Sequence, residues 1–84
     1  HSRGKHVTLS MNMDNRAGLL SAVLTSIAMS GANIVTINQT IPINGIANVT
    51  ITIETQGITT ELGEFVDKIS AIDGIRALNI IARE

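Results

Sequence analysis

The sequence predicts an α+β domain with the element order strand, helix, strand, strand, helix, strand. Apolar residues alternate with polar ones in four stretches, and they recur at helical spacing in two others. Turn signals at Asn44-Gly45 and Asp73-Gly74 separate neighbouring elements. Two β-α-β halves in this order predict the ferredoxin-like arrangement, in which a four-stranded antiparallel sheet carries both helices on one face.

The first half of the chain is predicted to form a strand, a helix and a second strand. Residues 5–13 alternate, and residues 17–30 follow with a helical pattern that ends before Gly31, where a left-handed C-terminal cap is expected. Residues 33–41 are rich in β-branched side chains and stop at Pro42, which has no N–H to donate. The predicted inward-facing residues are Val7, Leu9, Met11 and Met13 of the strand and Leu20, Val23, Leu24 and Ile27 of the helix.

The second half repeats this pattern. Asn44-Gly45 predicts a hairpin that leads into an alternating strand over residues 46–54. A helix over residues 60–71, with Thr59 or Thr60 as its cap, precedes a last strand over residues 75–82. The apolar stripe of this helix is Leu62, Phe65, Val66, Ile69 and Ile72. Gly63 lies inside the helix, and we expect it to permit close packing against a strand or a partner chain.

The predicted sheet has strands one and three at its centre and strands two and four at its edges. Its open face is polar but uncharged, with Thr8, Ser10, Asn12, Thr50 and Thr52. The edge strand over residues 33–41 contains no lysine or glutamate to prevent pairing with another chain. We therefore expect a homodimer through the second strand, with coverage by a parent chain as the alternative.

Composition limits the possible functions. The 84 residues predict one small domain, with residues 1–4 as a tag remnant or linker and residues 5–84 as the domain. Phe65 is the only aromatic residue, there is no cysteine, and the formal net charge is −1. These features predict a cytoplasmic domain without metal, cofactor, membrane contact or direct nucleic-acid contact. Without aromatic residues on the central strands, base stacking of the usual RNA-binding kind is excluded.

The corner between the first strand and the first helix is the candidate binding site. It spans Asp14-Asn15-Arg16-Ala17-Gly18-Leu19-Leu20. The first N–H groups of a helix have no intrahelical acceptor, so they can hold an anion or a carboxylate, and Gly18 would let a ligand approach the backbone. The simpler interpretation is that Asp14 or Asn15 only caps the helix.

No catalytic residue is expected. His6 has no serine, cysteine or carboxylate placed to act with it. An acylphosphatase-like enzyme would use Arg16 for phosphate and an asparagine such as Asn38 for water. However, Asp14 lies beside Arg16, and a glycine-rich phosphate cradle is absent.

Two segments resemble a known family. Asn15-Arg16-Ala17-Gly18-Leu19-Leu20 and Ser30-Gly31-Ala32-Asn33-Ile34 are similar to the conserved corner and second-strand entry of ACT domains, with Ala17 where proline is usual. The resemblance covers nearly the whole chain. It implies a small regulatory domain that binds an amino acid at a dimer interface for a larger parent protein. By position it implies a ligand-binding set of Asn15, Arg16, Ala17, Gly18, Leu19, Asn33 and Ile34.

A more specific resemblance concerns the second and third strands. Residues 36–42 and 45–50 are similar to the ACT domain of the PheB-like group of Gram-positive bacteria. That group carries an N-terminal segment of helix-turn-helix character, so DNA contact would occur outside this domain. The resemblance implies phenylalanine or a branched-chain amino acid as ligand, and a chorismate mutase label by association with phenylalanine biosynthesis. Such an enzyme needs several clustered cations, which the sequence lacks.

The residues themselves also favour an apolar amino acid, because Met11, Met13, Leu19 and Ile34 are expected to line a pocket beside the corner. Asparagine suits the polar part of such a ligand, since its amide both donates and accepts hydrogen bonds. The alternatives are a dimerisation module that binds no ligand and, less favoured, a small enzyme.

Overall fold

A computed structural model describes residues 6–84 and confirms the predicted fold. The described residues form a four-stranded antiparallel sheet in the order β2-β3-β1-β4, so β1 and β3 are central. The elements are β1 (His6–Asp14), α1 (Leu19–Met29), β2 (Asn33–Gln39), β3 (Ile46–Glu54), α2 (Leu62–Ser70) and β4 (Ile75–Arg83). The prediction for residues 1–4 lies outside the described residues.

The two central strands pair without interruption. Their register runs from His6 opposite Glu54 to Asp14 opposite Ile46, and every second residue is buried. Because cross-strand partners share a face, the buried residues of both strands meet the helices on one side. The other side carries the predicted polar face, where the Oγ1 atoms of Thr8 and Thr52 lie 3.0 Å apart and Asn48 donates to Asn12 Oδ1 at 3.0 Å.

The core between sheet and helices is entirely apolar in the described residues. Of the stripe predicted for α2, Phe65 and Ile69 are fully buried, whereas Leu62 and Val66 are partly buried and Ile72 lies beyond the end of the helix. In α1 the predicted Val23 and Ile27 are buried, but the third buried residue is Leu19, and the predicted Leu20 and Leu24 are only partly buried. The buried residues are Val7, Leu9, Met11, Met13, Leu19, Val23, Ile27, Ala32, Ala47, Val49, Ile51, Ile53, Phe65 and Ile69.

Two predicted turns are confirmed by their backbone conformation. Asn44 and Gly45 both have positive φ, at 54° and 77°, as a tight hairpin between β2 and β3 requires. Gly31 has φ 94° and follows Ser30, the C-cap residue of α1, as expected of a left-handed capping glycine. Gly31 also crosses the backbone of Gly57, so closely that a Cβ at either position would overlap the other's carbonyl oxygen.

Neither Asp14 or Asn15, the alternative N-cap of α1, nor Thr59 or Thr60, the predicted N-cap of α2, caps a helix. The N-cap positions are Gly18 and Glu61, and neither helix has a side-chain cap. The chain makes a further turn after Asn15 before α1 begins, so neither Asp14 nor Asn15 reaches the first N–H groups, and Thr60 lies one residue before the cap of α2. Gly63 makes no close packing within the described chain, because a Cβ there would have no neighbour within 4 Å.

The two edge strands differ in their irregularities. The register of β2 against β3 shifts between Ile34 and Thr36, which makes Val35 the extra residue of a bulge. The register of β4 against β1 shifts twice, so Arg76 and Ile81 are extra residues there. The second strand ends at Gln39, two residues before the predicted end.

Candidate functional site

The corner between β1 and α1 presents backbone N–H groups to solvent. The N–H of Asn15 donates to Gly45 O at 2.8 Å, which fixes the corner against the β2–β3 hairpin. Gly18 has φ 84° with open space around its Cα, and the first intrahelical bond runs from Ala22 N–H to Gly18 O. Within residues 6–84, no hydrogen bond reaches the N–H groups of Leu20 or Ser21. These two groups are available to a carboxylate.

Arg16 lies against the turn between α2 and β4. Its Nη2 donates to Asp73 O at 2.6 Å and to Asp73 Oδ2 at 3.2 Å, and its Nη1 lies 3.6 Å from Asp14 Oδ2. A Cβ added at Gly74 would lie 2.9 Å from Arg16 Nη2, so the glycine makes room for the guanidinium. In this conformation Arg16 joins the corner to the turn between α2 and β4, a contact that the sequence did not indicate.

A second arginine completes a charge-balanced cluster at the corner. Arg76 Nε donates to Asp14 Oδ1 at 2.7 Å. This hydrogen bond, and then the negative charge of Asp14, raise the pKa of Arg76 above its ordinary value. Since two arginines face two aspartates, the cluster leaves no excess positive charge for an anion. Attraction for a carboxylate at this corner comes from the helix N-terminus.

Asn33 lies at the opposite end of the sheet. Its Nδ2 donates to Glu54 Oε1 at 2.8 Å, and Glu54 Oε2 lies 3.6 Å from His6 Nε2. The prediction that His6 has no carboxylate beside it is therefore wrong. Asn15 follows Asp14, which pairs with Ile46 at one end of β3, whereas Asn33 pairs with Glu54 at the other. The eight steps along β3 amount to roughly 26 Å at about 3.3 Å per residue. One chain therefore does not bring the two asparagines together.

The remaining positions of the predicted site divide between surface and core. Ala17 is exposed beside Gly18, and Ile34 is partly buried at the start of β2. Met11, Met13 and Leu19, three of the residues expected to line an apolar pocket, are at most 5% exposed and pack in the core between sheet and helices. Their period-two and helical spacing is equally typical of a core, so the sequence did not distinguish the two roles.

The described chain contains a cavity that the sequence did not indicate. It measures about 420 Å³ and lies where β1 begins and β4 ends, at the end of the sheet away from the corner. Its lining mixes apolar side chains with threonines and charged groups: His6, Val7, Thr55, Ile58, Thr60, Leu62, Arg83 and Glu84. These residues come from three separate segments, so no local sequence pattern announces the cavity.

Residues 6–84 contain no group of three or more histidine, cysteine, aspartate or glutamate side chains placed to bind a metal. Neither helix of the described chain is long and apolar enough to cross a membrane.

Comparison with known proteins identifies the family. The sequence profile of the ACT domain matches residues 3–79. The chain belongs to the ACT domain family. It is 51% identical over 83 residues to a UPF0735 ACT domain-containing protein of Acetivibrio thermocellus, covering 99% of this chain and 56% of that protein. It is 50% identical over 84 residues to a UPF0735 ACT domain-containing protein of Lachnoclostridium phytofermentans, covering 100% of this chain and 58% of that protein.

A solved structure shares the ACT fold. The ACT domain from the GTP pyrophosphokinase of Chlorobium tepidum superposes with a TM-score of 0.73, covering 94% of this chain and all of that domain at 16% identity. The predicted resemblance to ACT domains is thus confirmed at the level of both sequence and fold, and the chain is a regulatory ACT domain. It spans little more than half the length of the curated relatives named above.

Proposed function

We propose that this ACT domain senses an amino acid for a longer parent protein, and that it binds the ligand between two copies of the chain. The observation that carries the proposal is the separation of Asn15 and Asn33, which lie at opposite ends of β3. Each chain offers one half of a site at each end of its sheet. In a dimer whose two-fold axis makes the copies antiparallel, the Asn15 end of one chain would meet the Asn33 end of the other. This would happen twice, so that each dimer has two equivalent sites.

The edge strand β2 supports such a dimer. It carries no charged side chain, and its large apolar residues Val35 and Ile37 are 45% and 42% exposed. The other edge, β4, carries Arg76 and Arg83 and two bulges, which are features that oppose edge-to-edge pairing. Antiparallel pairing of β2 with a second β2 extends the sheet and moves Asn33 of the second copy to the end that carries the Asn15 corner.

The chemistry of this composite site suits a free amino acid. The N–H groups of Leu20 and Ser21 would hold the ligand carboxylate, and the open space at Gly18 lets it approach them. The carboxamides of Asn15 and of Asn33 from the second copy would bind the ammonium and carboxylate groups. Asn33 already donates one N–H to Glu54, which leaves its second N–H and its oxygen for the ligand. Glu54 of the second copy, which accepts from that Asn33, adds a negative charge near the ammonium.

We expect the ligand to be phenylalanine or a branched-chain amino acid. Met11, Met13 and Leu19, which were expected to contact its side chain, pack in the core, so we expect its apolar contacts to come from the dimer interface. Ile43, which is 73% exposed and is bridged to Ile46 beside the corner, supplies such a contact. Burial of the ligand side chain there would contribute about 1.5–3 kcal/mol for a leucine- or phenylalanine-sized group.

A second candidate function is dimerisation without a ligand. It is favoured by the internal partners of two predicted site residues, since Arg16 bonds to Asp73 and Asn33 to Glu54 within one chain. In that case the β2 edge would still join two copies, and the corner would only support the start of α1.

A thermal-shift screen of the twenty amino acids separates these functions when the mass in solution is measured alongside. Ligand at one hundred times its dissociation constant stabilises the native state by about 2.7 kcal/mol, which corresponds to a rise in Tm of about 10–20 °C for a domain of this size. We expect a selective rise with phenylalanine or a branched-chain amino acid. A dimer without any shift would instead support the dimerisation module.

Two variants at Gly18 test whether the corner is the site. Gly18→Asp places a carboxylate beside the ligand carboxylate, whereas Gly18→Asn has nearly the same size and no charge. Both residues tolerate φ 84° better than other L-residues, and a Cβ here meets nothing within 4 Å, so the fold should survive in both. The ligand-induced shift should persist in Gly18→Asn and disappear in Gly18→Asp. Equal shifts in the two variants would move the site elsewhere, with the 420 Å³ cavity as the next candidate.

A further inference from the structure

We propose that the two copies pair with the two-fold axis at Asn38, so that Asn38 of one chain lies opposite Asn38 of the other. This inference rests on the proposed dimer and gives it a specific register. It also places Ile41 of each chain opposite Val35 of the other, and Asn33 of each chain opposite Ile43 of the other. The partner is a second copy of this chain.

The direction of the backbone groups in β2 is the first argument. The N–H of Thr40 donates to Asn48 O at 3.0 Å, so Thr40 directs its backbone groups toward β3. In an antiparallel strand this orientation alternates, and Asn38 also faces β3 while Ile37 and Gln39 face outward. At the proposed register Ile37 of one chain meets Gln39 of the other, and both exchange hydrogen bonds. The same exchange occurs again on the other side of the axis.

The bulge in β2 is the second argument. The extra residue Val35 interrupts the regular alternation between Ile34 and Thr36. The regular part of the edge therefore begins at Thr36, and the backbone bond of Thr40 to β3 extends it to that residue. An axis at Asn38 pairs this whole regular segment, residues 36–40, with its own copy. An axis at Ile37 would instead bring the bulged Val35 opposite Gln39 and break the ladder.

The exposed apolar residues are the third argument. Ile41 is 86% exposed and Val35 is 45% exposed, and both are costly to leave in water. They lie three residues either side of Asn38, so a two-fold axis at Asn38 brings Ile41 of one chain against Val35 of the other, twice per dimer. A single register thus covers apolar residues at both ends of the edge.

The same register connects the dimer to the proposed ligand site. Ile43 is bridged to Ile46 across the hairpin, and Ile46 pairs with Asp14 beside the corner. Asn33 of the second copy, opposite Ile43, therefore lies in the same row as Asp14. Three strand spacings of about 4.8 Å separate their backbones by roughly 14 Å, a gap that two side chains and one amino acid can span. The site is incomplete without the second copy.

The register can be read by disulfide formation, since the sequence contains no cysteine. Single-cysteine variants at each position from Thr36 to Thr40 are oxidised as dimers, and the cross-linked fraction is measured on non-reducing gels. Only a residue opposite its own copy brings two Cα atoms to about 4.5–5.5 Å, within disulfide range. We expect the most complete and fastest cross-linking in Asn38→Cys. A maximum at another position, or no cross-link in a dimeric protein, would overturn the proposed register.

The apolar contact is tested by a matched pair of variants. Ile41→Ser removes the contact with Val35, whereas Ile81→Ser removes an apolar residue that is 58% exposed on the opposite edge strand. We expect the dimer dissociation constant, measured by sedimentation, to rise at least about tenfold in the first variant and to stay unchanged in the second. Equal effects would overturn the register. A parent protein that is monomeric at all concentrations would refute the proposed dimer itself. Failure of the register and failure of the dimer therefore give different results.

Discussion

The crossing of Gly31 and Gly57 should be one of the least tolerant points of the fold. In Gly31→Ala the new Cβ would overlap Gly57 O, and the residue would also have to keep φ 94°. The left-handed conformation costs about 1–2 kcal/mol for a residue with a Cβ. Forcing two backbones apart in a packed region costs about 1–3 kcal/mol more. The expected loss is therefore about 2–5 kcal/mol in the free energy of unfolding.

Substitutions at two other glycines measure the conformational cost and the steric cost separately. Gly45→Ala keeps the conformational strain at φ 77° without any atom within 4 Å of the new Cβ, so it should cost only about 1–2 kcal/mol. Gly57→Ala keeps the overlap, since its Cβ would lie 2.5 Å from Gly31 O, and its cost should be about 1–3 kcal/mol from the steric term. Chemical denaturation followed by far-UV circular dichroism suits a chain without tryptophan or tyrosine. Equal losses in Gly31→Ala and Gly45→Ala would refute the crossing as a structural constraint.

Three further predictions use the same assay. Leu9→Ala empties a fully buried core position and should cost about 2–5 kcal/mol. Arg16→Gln removes the partly exposed contacts to Asp73 and should cost less than about 1 kcal/mol, because solvent screens such pairs. Asn48→Ala removes donated bonds across the open face, including the bond of 3.0 Å to Asn12, and should cost about 1 kcal/mol.

Each of these three variants has a control variant in the same chain. Ile81→Ala, at an exposed position of the edge strand, should lower the free energy of unfolding much less than Leu9→Ala does. Arg83→Gln is the control for Arg16, since Arg83 makes no ion pair among residues 6–84. Asn79→Ala on the same open face controls for Asn48. A loss in Arg16→Gln as large as that of Leu9→Ala would mean that the corner is held far more rigidly than exposed ion pairs allow.

The fold was predictable because its strongest signals are local. Alternation over residues 46–54 fixed β3 to the residue, and Asn44-Gly45 fixed the hairpin, since few other residues adopt positive φ at two successive positions. The helix starts were less predictable. Whether a threonine or aspartate near a helix start acts as a cap depends on how the chain enters the helix, and tertiary packing decides that entry.

The candidate site was only partly predictable for a related reason. The corner and Gly18 followed from sequence pattern, and the structure places both at the start of α1. The partners of Arg16 and Asn33 lie 57 and 21 residues away, at Asp73 and Glu54. Contacts at such separations depend on strand register and bulges, which a single sequence does not specify. Met11 and Met13 show the converse, because an apolar side chain looks the same whether it lines a pocket or fills the core.

A subunit-complementation experiment tests most directly whether the ligand site is shared between copies. Asn15→Ala and Asn33→Ala should each abolish binding of the amino acid found in the screen, since each removes one half of every site. When the two variants are mixed in equal amounts and allowed to exchange, half of the dimers should be mixed, and each mixed dimer regains one intact site. About one quarter of all sites should then bind ligand in a calorimetric titration.

Recovery of about a quarter of the binding capacity, with the affinity of the unmodified protein, is the result that the shared site predicts. The unmixed variants, exchanged with themselves under the same conditions, serve as controls and should stay inactive. Mixed dimers that bind no ligand, although exchange is verified by mass, would contradict a site built from Asn15 of one chain and Asn33 of the other.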